Sequence, residues 1–516
     1  MRHTLLTTAL LFCVLPTTQA STTPPCEYQR GEPVPLRTNG WGSRPVLEGK
    51  INGRPIPMLV DTGAHRTFVL LRSTEVLGIP ARALPSSRSF VGLGGLTQQG
   101  YSAYFSEFSI GSSRSVSAWF PVMPGLASSG FGAILGVDYL LQADLEIDLG
   151  ARRMQFNRLG KCSKTAHLVA GASVLDMETD PYIDTPLFYV KVNGIPTRAI
   201  IDTGAPSTAI RAGAARRAGI APAMPGAEKL TAITGIGEGS LSAWGVTVAE
   251  MQIGDDTFKD LKITLFDSKE DDHEGSELIL GVDFLRSYRV LFSSSQRRIY
   301  LTRTAPLKFM VSRADWVEWL ESEAANGSHG AMAYLAKKLE DGVDVPKDPV
   351  RAAKLAEEAA ARGDYMSMYK RASDLFLAGE YAEAAPALRQ LAQSYSSDRE
   401  AELRAYLATA HNGDPESARK ELKAARKRAN EEVWPMPIVD YIINDGKPEK
   451  LLLTAGKEEQ HATARQCLAH YYIGETARLK GDNDAARKSF ESALAICPAS
   501  AFEHKASTLA IKQTGI

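Results

Sequence analysis

Two short apolar runs each end abruptly on an acid. Met58-Leu59-Val60 leads into Asp61-Thr62-Gly63-Ala64, and Ala199-Ile200-Ile201 leads into Asp202-Thr203-Gly204-Ala205. Runs this short, apolar and β-branched read as buried strands. Around each, short apolar segments alternate with turn residues, to about Asn157 in the first case and Arg303 in the second. Residues 46–51 and 56–60 read as a β-hairpin about Asn52-Gly53. Residues 143–156 read as a closing hairpin turning at Asp148-Leu149-Gly150, and residues 299–302 as a last strand. From Ala314 the period changes. Trp316-Val317-Glu318-Trp319-Leu320 and the sequence after it are helical in spacing and rich in Ala, Leu, Lys, Arg and Glu. The pattern predicts an all-β first part and an all-α second part.

The landmarks around the two acids recur in the same order. Asn52-Gly53-Arg54-Pro55 precedes Asp61, as Asn193-Gly194-Ile195-Pro196 precedes Asp202. A Gly-rich stretch follows each: Gly92-Leu93-Gly94-Gly95 and Gly235-Ile236-Gly237-Glu238-Gly239. Each copy then reaches a second apolar signature, Ile134-Leu135-Gly136-Val137-Asp138-Tyr139-Leu140 and Ile279-Leu280-Gly281-Val282-Asp283-Phe284-Leu285. The offset is 202 − 61 = 141 for the acids and 281 − 136 = 145 for the Leu-Gly signatures. Four matched landmarks, twice, indicate a repeated lobe.

A single Asp-Thr-Gly also makes an ordinary surface turn; repetition gives it chemistry. The glycine lets the backbone turn sharply beside the acid. Two such segments about a pseudo-two-fold axis would bring two carboxyl groups side by side. Such a pair cannot both ionise cheaply, so it shares a proton. One member can then serve as base and the other as acid while a water between them attacks a peptide carbonyl.

Both segments resemble the active-site loop of aspartic proteases. With Ala64 and Ala205 after the glycines they are similar to the retropepsin branch. The resemblance implies the order hairpin, catalytic loop, flap, and a strand crossing behind the catalytic loop. It implies Asp61 and Asp202 as the catalytic dyad, with Thr62 and Thr203 bonding across behind the acids and Gly63 and Gly204 allowing close backbone approach. Gly92, Gly94 and Gly95, with Gly235 and Gly237, would form flaps over an extended peptide. Asp138 and Asp283 take structural places in the same pattern. Because both lobes lie in one chain, an internal pseudo-dimer is expected, since linkage gives the internal partner a high effective concentration. Pairing of like lobes from two chains is the alternative.

In the helical part, turn glycines fall at Gly379, Gly413 and Gly481, separated by 413 − 379 = 34 and 481 − 413 = 68. A period of about 34 residues is that of tetratricopeptide repeats. The last unit is similar to that family at Gly474, Ala486, Phe490, Ala493 and Pro498, with Phe490 filling the space the small residues leave. Pro435 and Pro437 interrupt the preceding unit, and residues 331–363 form a looser relative.

Composition narrows the picture further. A length of 516 residues is a soft prior for three to four domains. The net charge of −1 argues against nucleic acid or an anionic membrane as partner. Residues 1–20 read as a secretory signal, with Arg2 and His3, an apolar core over 5–15, and Thr18-Gln19-Ala20 as a small-residue cleavage site. That core is too short to span a bilayer, and bulky Phe12 before Cys13 argues against a lipoprotein. No later run is long and apolar enough for an anchor. A bacterial protein exported to the periplasm or secreted is expected.

Beyond the signal the cysteines are Cys26 and Cys162, which bracket the first lobe, and Cys467 and Cys497, in the last helical unit. They make two disulfides or four separate thiols. In an antiparallel helix pair the start of one helix lies near the end of the other, which favours Cys467 with Cys497. No metal or cofactor is expected. The histidines show no metal spacing, the acidic stretch 267–277 lacks the spacing of a calcium loop, and no nucleophile elbow or phosphate loop is present.

The expected organisation is a signal over 1–20, a loosely ordered lead-in over 21–45, lobes over 46–160 and 161–303, and helical repeats over 314–516. The expected function is an exported aspartic endopeptidase whose repeats recruit a polypeptide substrate or a protein partner. The alternative is a catalytically silent peptide-binding or envelope adaptor protein. A chain ending near Arg303 is expected to fold and cleave short peptides by itself.

Overall fold

The computed structural model describes residues 28–39, 44–84, 91–92, 95–96, 100–111, 113, 116–123, 131–160, 167–180, 183–230, 232–234, 240–267, 275–394, 399–428, 434–457 and 462–513. The expected signal, Cys26 and Cys162 lie outside these residues.

The first lobe is an eight-stranded sheet in the spatial order Arg37–Asn39, Arg44–Ile51, Arg54–Val60, Ala133–Leu135, Phe68–Leu70, Val116–Met123, Tyr101–Ile110 and Arg82–Ala83. The second lobe repeats it strand for strand, from Glu178–Asp180 and Ile183–Val192 through Ile195–Ile201 and Leu278–Leu280 to Glu228–Lys229. Each opening hairpin turns on an Asn-Gly pair. Asn52 and Gly53 have φ of 49° and 77°, and Asn193 and Gly194 have 49° and 79°. Both central residues of the favoured two-residue hairpin turn need positive φ, which Asn and Gly tolerate best. In each lobe the strand leading to the acid runs parallel to the Leu-Gly strand, with Leu59 beside Ile134 and Ile200 beside Ile279.

A third sheet joins the lobes. The strand Asp144–Asp148 of the first lobe pairs antiparallel with Tyr288–Ser293 of the second, Leu145 facing Phe292 and Ile147 facing Val290. These four side chains are buried in one apolar core that includes residues of both lobes. The lead-in expected to be loosely ordered is instead built into the sheets. Tyr28–Arg30 and Val34–Pro35 pair with Arg153–Leu159, and Arg37–Asn39 pairs with Arg44–Ile51. Val34 and Leu36 are buried, and that apolar surface outweighs the Pro-rich composition. Likewise Ser173–Asp176, in the stretch between the lobes, pairs with Arg298–Arg303.

Residues 313–513 form a series of helices. The turn glycines Gly379, Gly413 and Gly481 have φ of 78°, 94° and 80°, ending helices in the left-handed conformation. A Cβ on Gly474 would stand 2.7 Å from the Phe490 ring, so close helix approach there requires glycine. Around Pro435 and Pro437 the helices shorten to Met436–Ile443 and Pro448–Ala455, of eight residues each. No described helix is long and apolar enough to cross a membrane.

Cys467 and Cys497 are disulfide-bonded across this last helix pair. The closed loop spans 30 residues, for which constraint of the unfolded chain contributes about 3–4 kcal/mol. Reduction, or Cys467→Ser with Cys497→Ser, is expected to lower the stability of the helical part by that order. Chemical denaturation followed by far-UV circular dichroism measures it; an unchanged midpoint would show that helix packing alone sets the stability.

Candidate active site

The two acid-bearing loops are the same structure twice. The strand Arg54–Val60 buries Met58, Leu59 and Val60, and its ladder continues one residue further. Asp61 N–H donates to Leu135 O at 3.0 Å, and Asp202 N–H donates to Leu280 O at 2.9 Å. The chain then turns back on itself. Gly63 N–H and Ala64 N–H donate to Asp61 Oδ1 at 3.0 and 2.9 Å. Gly204 N–H and Ala205 N–H donate to Asp202 Oδ1 at 2.7 and 3.1 Å. Each carboxyl is thus aimed by its own loop's backbone.

The loops meet through their threonines. Thr62 Oγ1 donates to Ile201 O at 2.7 Å and Thr203 Oγ1 donates to Val60 O at 2.6 Å. In return, Thr203 N–H donates to Thr62 Oγ1 at 3.1 Å and Thr62 N–H to Thr203 Oγ1 at 3.0 Å. Both threonines are fully buried, where an unmet hydroxyl is costly, so the four bonds lock the lobes at this level. The lobes therefore pair within one chain.

The glycines bring the acids together. A Cβ on Gly63 would lie 2.3 Å from Asp202 Cγ, and one on Gly204 would lie 2.5 Å from Asp61 Cγ. Each carboxyl occupies the space that the opposite glycine leaves. Burial raises both above the ordinary carboxylate range, and the Asp202 charge raises Asp61 further. The loop amides and the Arg44 guanidinium pull the other way. The pair can therefore hold one proton between them.

Behind each loop the Leu-Gly signature crosses closely. A Cβ on Gly136 would meet the Arg66 carbonyl carbon at 2.4 Å, and one on Gly281 the Ser207 carbonyl carbon at 2.6 Å. Asp138 accepts from Thr67 N–H and Oγ1 at 2.8 and 2.7 Å. Asp283 accepts from Thr208 N–H at 2.9 Å and from its Oγ1 at 2.7 Å. Both acids thus brace the turns that follow the dyad and stand apart from it.

Of the glycines expected in flaps, Gly92 and Gly95 pair across a short hairpin of Val91–Gly92 and Gly95–Leu96. Ile233–Thr234 and Ser240–Leu241 pair at the matching place in the second lobe. Gly94, Gly235 and Gly237 lie outside the described residues.

Sequence reading missed Arg44. It opens the strand Arg44–Ile51, whose register sets Val46 opposite Leu59; two residues on, it stands level with Asp61. Burial lowers the Arg44 guanidinium's pKa while the charges of Asp61 and Asp202 raise it. The available signal was its place, 17 residues before Asp61, where the second lobe has Thr185 17 residues before Asp202. Among the described residues no cluster of His, Cys, Asp and Glu is arranged to hold a metal ion.

No curated protein matches the chain. Residues 47–142 and residues 188–287 each match the model of one family, the gag-polyprotein putative aspartyl protease. The two β lobes are thus two domains that match a single protease family, and Asp61 and Asp202 fall one in each.

Proposed function

We propose that the protein is an aspartic endopeptidase with one active site made by both lobes. The observation that carries this reading is the pair of carboxyls brought together across the lobe junction, each seated over the other loop's glycine. With one proton shared, the ionised carboxyl takes a proton from a water, whose oxygen attacks the scissile carbonyl carbon. The protonated carboxyl gives its proton to the carbonyl oxygen. The resulting tetrahedral gem-diol collapses as a proton passes to the amide nitrogen, breaking the C–N bond and restoring the shared proton. The paired strands Val91–Gly92 with Gly95–Leu96 and Ile233–Thr234 with Ser240–Leu241 are read as parts of flaps that exclude water. The helices of residues 313–513 are read as tetratricopeptide-type repeats that recruit a polypeptide substrate or partner. Export to the periplasm or beyond fits the Cys467–Cys497 disulfide, which persists in an oxidising compartment. The test is cleavage of a peptide library by the purified protein, inhibited by a peptide carrying a hydroxyl-bearing tetrahedral mimic. Binding of the mimic with no cleavage would favour the adaptor reading.

The pH profile follows from the same geometry. Burial raises both members of the dyad, and the Asp202 charge raises Asp61 further, so the singly protonated pair survives to higher pH. Ala64 and Ala205 supply no hydroxyl that could favour the ionised form. A bell-shaped profile centred in mildly acidic to near-neutral solution is expected. Ala64→Ser and Ala205→Ser are expected to shift it towards acid. An optimum deep in the acid range, unmoved by either serine, would separate the missing hydroxyls from the titration.

A further inference from the structure

The last strand of the second lobe, Arg298–Arg303, is followed by a segment stitched along the back of that lobe's acid-bearing loop. Thr304 N–H donates to Ser287 O at 2.8 Å, and Ser287 Oγ donates to Pro306 O at 2.9 Å. Met310 N–H donates to Asp283 Oδ2 at 3.1 Å. Asp283 is the acid that braces Thr208, six residues beyond Asp202, and it is fully buried. Phe309 packs in the core of the lobes, and its neighbour Met310 packs in the core beneath the first helices. Its counterpart Asp138, in the first lobe, is partly exposed.

The next element, the helix Arg313–Ala325, reaches both lobes at once. Glu323 Oε2 accepts from Arg152 Nη2 at 3.0 Å, and Arg152 lies at the turn of the first lobe's closing hairpin. Glu323 Oε1 accepts from Arg286 Nη2 at 3.3 Å, and Arg286 ends the second lobe's Leu-Gly signature. Arg286 also lies over the Trp319 ring at 4.6 Å. The two arginines sit at one end of the sheet that joins the lobes, and Glu323 is the carboxylate between them. Burial and the nearby Arg152 charge lower the Arg286 pKa, against the charges of Glu323 and Asp283.

We propose that Glu323 is a positioning residue for the dyad, making the first helix of the array a clasp that fixes one lobe against the other. The proposal rests on the endopeptidase reading for its catalytic consequence, though its structural consequence can be measured without it. Removing Glu323 leaves two half-buried guanidinium groups facing each other with no carboxylate between them. The strain passes from Arg286 to the turn at Asp283, and from there through Thr208 to the loop of Asp202. This departs from the expectation that a chain ending near Arg303 is self-sufficient, since that chain lacks both Met310 and Glu323.

The test uses the full chain with Glu323→Ala, Glu323→Gln and, as a control, Glu421→Ala. Glu421 makes an exposed pair with Arg389 at 2.9 Å, far along the array. Amide hydrogen exchange over residues 202–208 and 280–286 is expected to quicken about tenfold in Glu323→Ala, less in Glu323→Gln, and not at all in the control. For a short peptide substrate, kcat is expected to fall about tenfold with KM unchanged, since a misaligned dyad loses turnover rather than binding. Quickened exchange confined to residues 313–325, with the Asp202 loop as protected as in the wild type, would reduce the contact to an ordinary domain interface and overturn the proposal. If Glu323→Ala does not fold, Glu323→Gln is judged by the same two regions. A wild-type protein that cleaves no peptide would count against the endopeptidase reading alone, because the exchange result stands without activity.

Discussion

Asp61→Asn and Asp202→Asn are each expected to remove hydrolysis while leaving the protein folded and no less stable near neutral pH. The shapes are nearly identical. The Asn amide oxygen can keep both bonds that Asp61 Oδ1 accepts from Gly63 and Ala64, and its NH2 can donate to the remaining carboxylate. What is lost is one of the two titrating groups, so the remaining carboxyl cannot serve as base to the attacking water while a second gives a proton to the carbonyl oxygen. Loss of positioned acid–base catalysis costs about 10²–10⁴-fold in kcat.

The stability consequence has a definite sign. Both carboxyls titrate above the ordinary range, so the folded state binds the proton more tightly than the unfolded chain. Their favourable contribution is complete below the unfolded pKa and is lost as pH rises through the folded value. Asn carries no such cost. The melting temperature of either variant should therefore equal or exceed that of the wild type at neutral pH, and this advantage should shrink on acidification. A variant that keeps wild-type turnover would refute the shared dyad. One that loses turnover by unfolding would show that the carboxyls serve the fold instead.

Much of this site was legible in the sequence, because its parts are local. A strand pattern followed by Asp-Thr-Gly fixes a carboxyl at a strand end, and Asn-Gly fixes the hairpin before it. Repetition at a nearly constant offset then implies two lobes. Residues acting across long separations were harder to read. The lead-in looked irregular from its Pro, Thr and Gly content, yet Val34 and Leu36 bury enough to add strands to the sheets. Arg44 was passed over at the end of the lead-in, because nothing local shows that its charge is felt by both acids. Asp283 was recognisable as a structural acid, but its bond to Met310 depends on where the chain goes after the second lobe.

Gly63→Ala and Gly204→Ala are expected to damage the site almost as severely as loss of an acid, by acting on the opposite lobe. Neither glycine is among those with positive φ, so alanine meets no local backbone strain there. The obstacle lies across the junction. The new methyl on residue 63 would stand 2.3 Å from Asp202 Cγ, far inside van der Waals contact. That carboxyl is held by two backbone N–H bonds, at 2.7 and 3.1 Å. It must give up at least one of them, or the lobes must part at the Thr62–Thr203 bonds. Overpacking of this kind costs about 1–3 kcal/mol, and a displacement near 1 Å can lower turnover by about 100-fold. The trans origin can be isolated with a double-mutant cycle. Asp202→Ala empties the space, so Gly63→Ala should cost little stability in that background, although it is costly in the wild type. The mirror pair, Gly204→Ala with Asp61→Ala, should behave the same way. Equal costs in both backgrounds would mean that the methyl is felt within its own loop, and the two acids would not be seated on each other's glycines.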